Sequence, residues 1–283
     1  MVATIRVAQW LHGALRVPTA QTGRAQGARS RVRCPSRPEC SLRVHDEVAL
    51  TDTLDDLRFT KPLYTVSEAA SYLGVPRSTF ATWMHGYVRS APGTRSVHGE
   101  PLLTSIEGHG LTVPFIGLAE GMVLAAFRDT GLPLQRMRPA LQRFAEEHEL
   151  DQALASKHLY ADGAEILYDY ARAHGDKQLR LLTVVRTGQW FFHDVIERYL
   201  SRIQYVDEWA AGLTLPTTDE PILLADPERA FGQPVFVHGG ARVADVKSRV
   251  EAGEPTQAVA DDYGVPLDDV LAALASSSAA AAA

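Results

Sequence analysis

Residues 64–87, YTVSEAASYLGVPRSTFATWMHGY, decide the architecture. Thr65 followed three residues later by Glu68 is a capping-box pattern: the hydroxyl accepts an orphan amide proton while the carboxylate reaches back, so a helix starts near Val66. Val66, Ala69, Ala70 and Leu73 then share one face at helical spacing. Gly74 supplies a left-handed stop, and Pro76 suits the first turn of a second helix whose inner face is Phe80, Trp83 and Met84. Two short helices joined by a three-residue turn predict a helix-turn-helix, with the second helix entering a major groove. On the opposite face of that helix lie Arg77, Ser78, Thr79 and Thr82, side chains that reach base edges and phosphates.

Downstream, Pro92-Gly93 and His98-Gly99 are breakers between short runs, which predicts a hairpin or wing carrying Arg89 and Arg95. Helical spacing returns at Phe115, Leu118, Met122, Leu124, Ala125 and Phe127. After a break at Gly131 it resumes at Leu134, Met137, Leu141 and Phe144. This pair adds Arg128, Arg136, Arg138 and Arg143 against Asp129, and Arg136 joins the predicted DNA-contacting set. Residues 159–215 mix strand-like runs, such as Leu179–Val185, with one clear helix carrying Val195, Ile196, Tyr199, Leu200 and Ile203. A further unit opens at Asp226-Pro227, with a strand candidate at Pro234–Val237 and a Gly239-Gly240 turn. Three short helices follow near 243–250, 256–263 and 267–275, with Thr256 and Asp268 placed to cap. The expected class is mainly α (α+β): an N-terminal winged helix-turn-helix, a small mixed α/β middle region and a C-terminal three-helix, helix-turn-helix-like module. The expected boundaries are a disordered basic leader at 1–60, then 62–143, 144–216 and 217–275, and a disordered tail at 276–283.

The 283 residues include 46% hydrophobic and 22% charged, the composition of a globular chain with a sizeable core. No apolar run approaches the roughly 18 residues a spanning helix needs, so no membrane partner is expected. The net charge of −6 is unevenly placed: residues 1–45 hold eight Arg against Glu39, which leaves −13 on the remainder. Residues 217–275 carry four cations against eleven acids, a balance that repels duplex DNA. That unit is therefore read as a protein-binding or dimerising module, with Arg242, Asp261, Asp262, Asp268 and Asp269 as its contact residues.

The catalytic patterns all fail on spacing. Gly239-Gly240 lacks the Lys-Ser/Thr of a phosphate loop. Cys34, Cys40 and His45 lack a second ligand pair, His148 and His158 are ten apart, and His193-Asp194 has no nucleophile to serve. The expectation is no active site, no metal and no cofactor. The aromatic residues Trp190, Phe191, Phe192 and Trp209 are read as core rather than as a base-stacking platform.

Residues 64–87 resemble MerR-type helix-turn-helix starts, and VPFIGLAEGMVLAAFRDTGLPLQRMRPAL at 113–141 resembles the helix pair that follows in such proteins. DPERAFGQPVFVHGGARVADVKSRVEAGEPTQAVADDYGV at 226–265 resembles the C-terminal domain of unknown function in VapB-type antitoxins that accompany PIN-like ribonuclease toxins. The resemblance implies a non-enzymatic, cytoplasmic, homodimeric antitoxin. It implies operator double-stranded DNA as partner of the front domain, through Arg77, Ser78, Thr79 and Thr82, and a cognate PIN-like toxin held by the rest of the chain. The alternatives left open are a MerR-like regulator sensing a small ligand, and an enzyme of another fold within 144–215.

Overall fold

A computed structural model describes residues 57–89, 97–186, 189–216 and 220–282, all within one compact unit, His45–Ala283. The basic leader up to residue 56, with Cys34, Cys40 and His45, lies outside the described residues, as do Pro92-Gly93 and Arg95.

The fold is mainly helical with three small antiparallel sheets. Helix α1 (Val66–Tyr72) starts on the expected capping box: Glu68 N–H donates to Thr65 Oγ1 at 3.1 Å, and Thr65 N–H donates to the Glu68 carboxylate at 2.8 Å. It ends in a Schellman turn, with Gly74 N–H donating to the Ser71 carbonyl and Val75 N–H to that of Ala70. Gly74 sits at φ +65, the left-handed region only glycine enters without strain. Helix α2 (Arg77–His85) follows, and then a hairpin of β1 (Tyr87–Arg89) with β2 (Val97–Gly99) where a wing was expected.

Helix α3 (Phe115–Asp129) is the hub. Every residue from Phe115 to Phe127 is buried, so this helix is covered on all sides, as an all-round apolar helix must be. Gly121 lets α2 lie across it: a Cβ there would stand 2.7 Å from the Phe80 ring and 2.9 Å from a Leu73 methyl. Among the described residues the single buried acid is Glu120, which accepts from Thr104 N–H at 2.5 Å. Burial pushes its carboxyl up to about 8, against the pull of the Thr104 hydrogen bonds, so at neutral pH it is largely protonated.

Helix α4 (Leu134–His148) leads through a 3₁₀ turn (Ala153–Ala155) into α5 (Lys157–Ala173) and the short α6 (Lys177–Arg180). The sequence reading did not anticipate α5. Its buried stripe is Leu159, Gly163, Ala164, Leu167 and Ala171, too small-residued to announce a helix by hydrophobic periodicity. The strand expected over Leu179–Val185 is shorter: Leu179 belongs to α6 and the strand β3 covers Thr183–Arg186, paired with β4 (Gln189–Phe192). The helix expected to reach Ile203 ends sooner. Helix α7 spans Asp194–Leu200, and Ile203 opens strand β5 (Ile203–Val206). Of the four aromatic residues assigned to the core, only Phe192 is buried. Trp190 is half-exposed and stacks on Tyr168 at 3.7 Å, and Trp209 meets Phe59 edge-on.

Strands β5, β6 (Trp209–Thr214), β7 (Leu223–Ala225) and β8 (Val235–Phe236) form a four-stranded meander. Residues 57–60 make a helical turn in which buried Arg58 donates to the carbonyls of Val206 and Ala210 at 3.4 Å. Helices α8 (Val243–Glu251), α9 (Thr256–Tyr263) and α10 (Leu267–Ala282) complete the chain around Val246, Val259, Ala260, Val265, Val270 and Ala273. The caps differ from expectation. Thr256 is the first helical residue behind Pro255 and makes no capping bond, and Asp268 lies one residue inside α10. That helix continues past Ala275 to Ala282 because its end is rich in alanine, the strongest helix former.

Candidate nucleic-acid interface

The face of α2 opposite Phe80, Trp83 and Met84 is the candidate surface. Arg77, Ser78 and Thr82 are exposed and Thr79 is half-buried. Among the described residues Arg77 has no ion pair or side-chain hydrogen bond, so its guanidinium is free to meet an anion. Thr82 Oγ1 donates to the Ser78 carbonyl at 2.8 Å, which fixes the rotamer and turns the oxygen lone pairs outward. Exposed His85 continues the row Ser78, Thr82, His85 at i, i+4, i+7. The sequence reading overlooked His85, although that spacing was its signal. The backbone of Arg89 ends β1, paired with Val97; its side chain and all of Arg95 lie outside what the structure describes.

The cations of the following helices are less available than a charge count implies. Arg136 bonds Gln178 and lies 3.5 Å from Asp176. Arg143 pairs with Glu147 one turn on, at 2.6 Å, and Arg128 lies 3.9 Å from Asp129. Arg138 donates to the Glu100 carbonyl at 2.5 Å, tying α4 to the foot of the hairpin. The three carboxylate pairs are largely exposed and individually weak, but each cancels part of the local positive field.

In the C-terminal helices, Arg242 makes two bonds to Asp245, at 2.7 and 2.8 Å, across the first turn of α8. Arg249 bridges Glu254 and Asp262, the latter at 2.8 Å, and its guanidinium stands 5.4 Å from the Tyr263 ring. Asp261 accepts from Gln257 and Asp269 from His238 Nδ1, so of the five residues expected to contact a partner only Asp268 has no partner among the described residues.

A buried bond ties the front part to the rear: Tyr64, which is wholly buried, donates through its hydroxyl to the Gly232 carbonyl at 2.8 Å. Tyr72 reinforces it by donating to Gln233 Oε1 at 3.3 Å. Between them and the meander, Ala230 and Phe231 both adopt left-handed backbone, leaving the Phe231 ring 85% exposed.

Residues 62–141 match a family described as "Putative DNA-binding HTH domain", and residues 225–275 match "Protein of unknown function (DUF433)". Over 228 residues the chain is 43% identical to "Putative antitoxin VapB45" of Mycobacterium tuberculosis (strain ATCC 25618 / H37Rv), covering 77% of this chain and 95% of that protein. The chain belongs to the VapB-type antitoxin family. It carries that family's DNA-binding helix-turn-helix at residues 62–141. A second protein of the same strain, "Uncharacterized protein Rv2308", is 23% identical over 243 residues, covering 79% of this chain and 91% of its own. The crystal structure of Rv2018 from Mycobacterium tuberculosis superposes with a TM-score of 0.65 at 42% identity, covering 77% of this antitoxin-family chain and all of the solved one. Among the described residues no helix is long and apolar enough to cross a membrane.

Proposed function

We propose that this chain is the non-enzymatic antitoxin of a toxin–antitoxin pair, a cytoplasmic homodimer that represses its own operon. Its helix-turn-helix, of the MerR kind, binds operator DNA, and the remainder of the chain holds and neutralises a PIN-like ribonuclease toxin. The observation that carries the reading is the outward face of α2, where an unpaired Arg77 stands beside Ser78, Thr79 and Thr82 at the start of the second helix of a DNA-binding family domain. A two-fold dimer sets two such helices about 34 Å apart, in successive major grooves.

Bound toxin tunes operator affinity by linkage, and the operator tunes toxin affinity by the same factor. With about three cations per half-site, roughly six phosphates are neutralised, and log affinity falls against log salt with a slope near −5. The deciding experiment titrates the full chain against its upstream duplex by fluorescence anisotropy at several salt concentrations, with and without the co-expressed product of the neighbouring gene. A steep slope and a stoichiometric complex with a small ribonuclease are expected. A flat salt response, or a neighbour that neither binds nor poisons cells on its own, defeats the proposal.

A further inference from the structure

The C-terminal end of α4 and the first turns of α5 bring together side chains that lie ten and fourteen residues apart in the sequence. The rings of His148 and His158 are 4.7 Å apart between centroids. One donor atom from each of His148, His158 and Asp162 lies within 4.8 Å of the other two. His158 and Asp162 are one helical turn apart on α5, with Nδ1 of the imidazole 3.8 Å from Oδ2 of the carboxylate. Beyond the same ring, Nε2 lies 3.8 Å from Glu208 Oε2. Glu208 sits in the turn between β5 and β6 at φ +71, and its carbonyl accepts from Lys157 N–H at 2.8 Å, which anchors that turn on the start of α5. His148 leans on Phe144, and its Nε2 is buried with no hydrogen-bond partner.

A buried ring nitrogen with no partner has given up its water for nothing, and a second imidazole and a carboxylate stand within reach of the same point. One occupant would engage all three. We propose that His148, His158 and Asp162 form a binding site for a zinc-class divalent metal ion, quite apart from the DNA-facing helix. Two imidazoles and a carboxylate suit zinc and its transition-metal neighbours, whereas magnesium and calcium take shells of oxygen. Ligand atoms about 2 Å from a tetrahedral ion lie roughly 3.3 Å from one another. The present separations therefore close by small rotations of His158 and the exposed Asp162. With Nδ1 of His158 on the metal, its Nε2–H is left to donate to Glu208, the carboxylate–imidazole relay that fixes tautomer and ring plane in metal sites. Water completes the shell. The ion would pin the end of α4 to α5 across the 149–156 connection, closing the joint between the helix-turn-helix half and the meander.

The test uses the full chain, stripped with a chelator and titrated with zinc chloride by calorimetry. Expected are saturation at one ion per chain, no heat with magnesium chloride, and a rise in Tm of roughly 5 °C at about a hundredfold excess over Kd. His158→Gln alters a half-buried side chain and Asp162→Asn an exposed one, so the fold survives, and each should weaken zinc at least tenfold. A Cys34→Ser/Cys40→Ser variant should bind zinc unchanged. Absence of saturable binding, binding that persists in His158→Gln, or binding lost in the cysteine variant would each overturn the assignment.

Discussion

The helix-turn-helix at residues 64–87 and the helices at 243–282 both turn the chain through left-handed glycines, Gly74 in one, Gly253 and Gly264 in the other. They differ in what they do with charge. The front helix α2 presents an arginine with no partner among the described residues, while the rear cluster closes its arginines on its own acids: Arg242 on Asp245, Arg249 on Glu254 and Asp262. A tally of charges ranks the rear as strongly acidic, yet much of that acid is already engaged. Availability, not count, separates a surface that can capture phosphates from one that holds itself together.

The sharpest way to break this contrast is to remove the ring that seats α2. Phe80→Ala leaves a cavity between α2 and α3, and the stability loss measured in urea should be about 3–5 kcal/mol, with operator binding lost. Retained operator affinity would mean that the seat of α2 does not govern recognition. A second difference is buried ionisation, since the front core encloses Glu120 and the C-terminal helices enclose no acid among the described residues. In the native state this carboxyl holds a proton that the unfolded chain releases. Its contribution is therefore complete below about 4.5 and is lost as pH rises towards about 8. Glu120→Gln should flatten that decline and gain on the order of 4 kcal/mol at pH 8. An unchanged pH profile of urea midpoints would show that Glu120 ionises freely.

Arg77→Ala tests availability itself. Operator affinity should fall by about 1–3 kcal/mol, with a shallower salt slope, while capture of the protein partner stays intact. Equal loss of both would erase the division between front and rear. The smallest effect is expected at the rear: Asp268→Lys, at the predicted contact acid that has no partner among the described residues, should weaken the protein complex by about tenfold or less and spare DNA. An unchanged protein complex would remove that end of α10 from the protein interface, and a gain of DNA affinity would place it beside the duplex instead.

The front domain was legible because its signals are local. The capping box at Thr65 and Glu68, the stop at Gly74 and the apolar face of Phe80, Trp83 and Met84 each act within a few residues, and all are found where the spacing puts them. The middle was not. Helix α5 packs with glycine and alanine, so its periodicity is faint, and the short strands around it are defined by pairing partners rather than by their own pattern. The charge chemistry was hidden for a related reason. Arg136 meets Asp176 across forty residues and His148 meets His158 around a bend, and no spacing rule reaches that far.

The bond from Tyr64 to Gly232 bears on how the chain can be cut. A fragment ending at residue 141 would leave a sequestered phenol with nothing to donate to, and Tyr72 would lose Gln233 as well. The DNA-facing piece borrows its acceptors from the far end of the polypeptide. Excised along family boundaries it should melt earlier than the intact protein, and in the whole molecule the two ends should come apart in a single cooperative event.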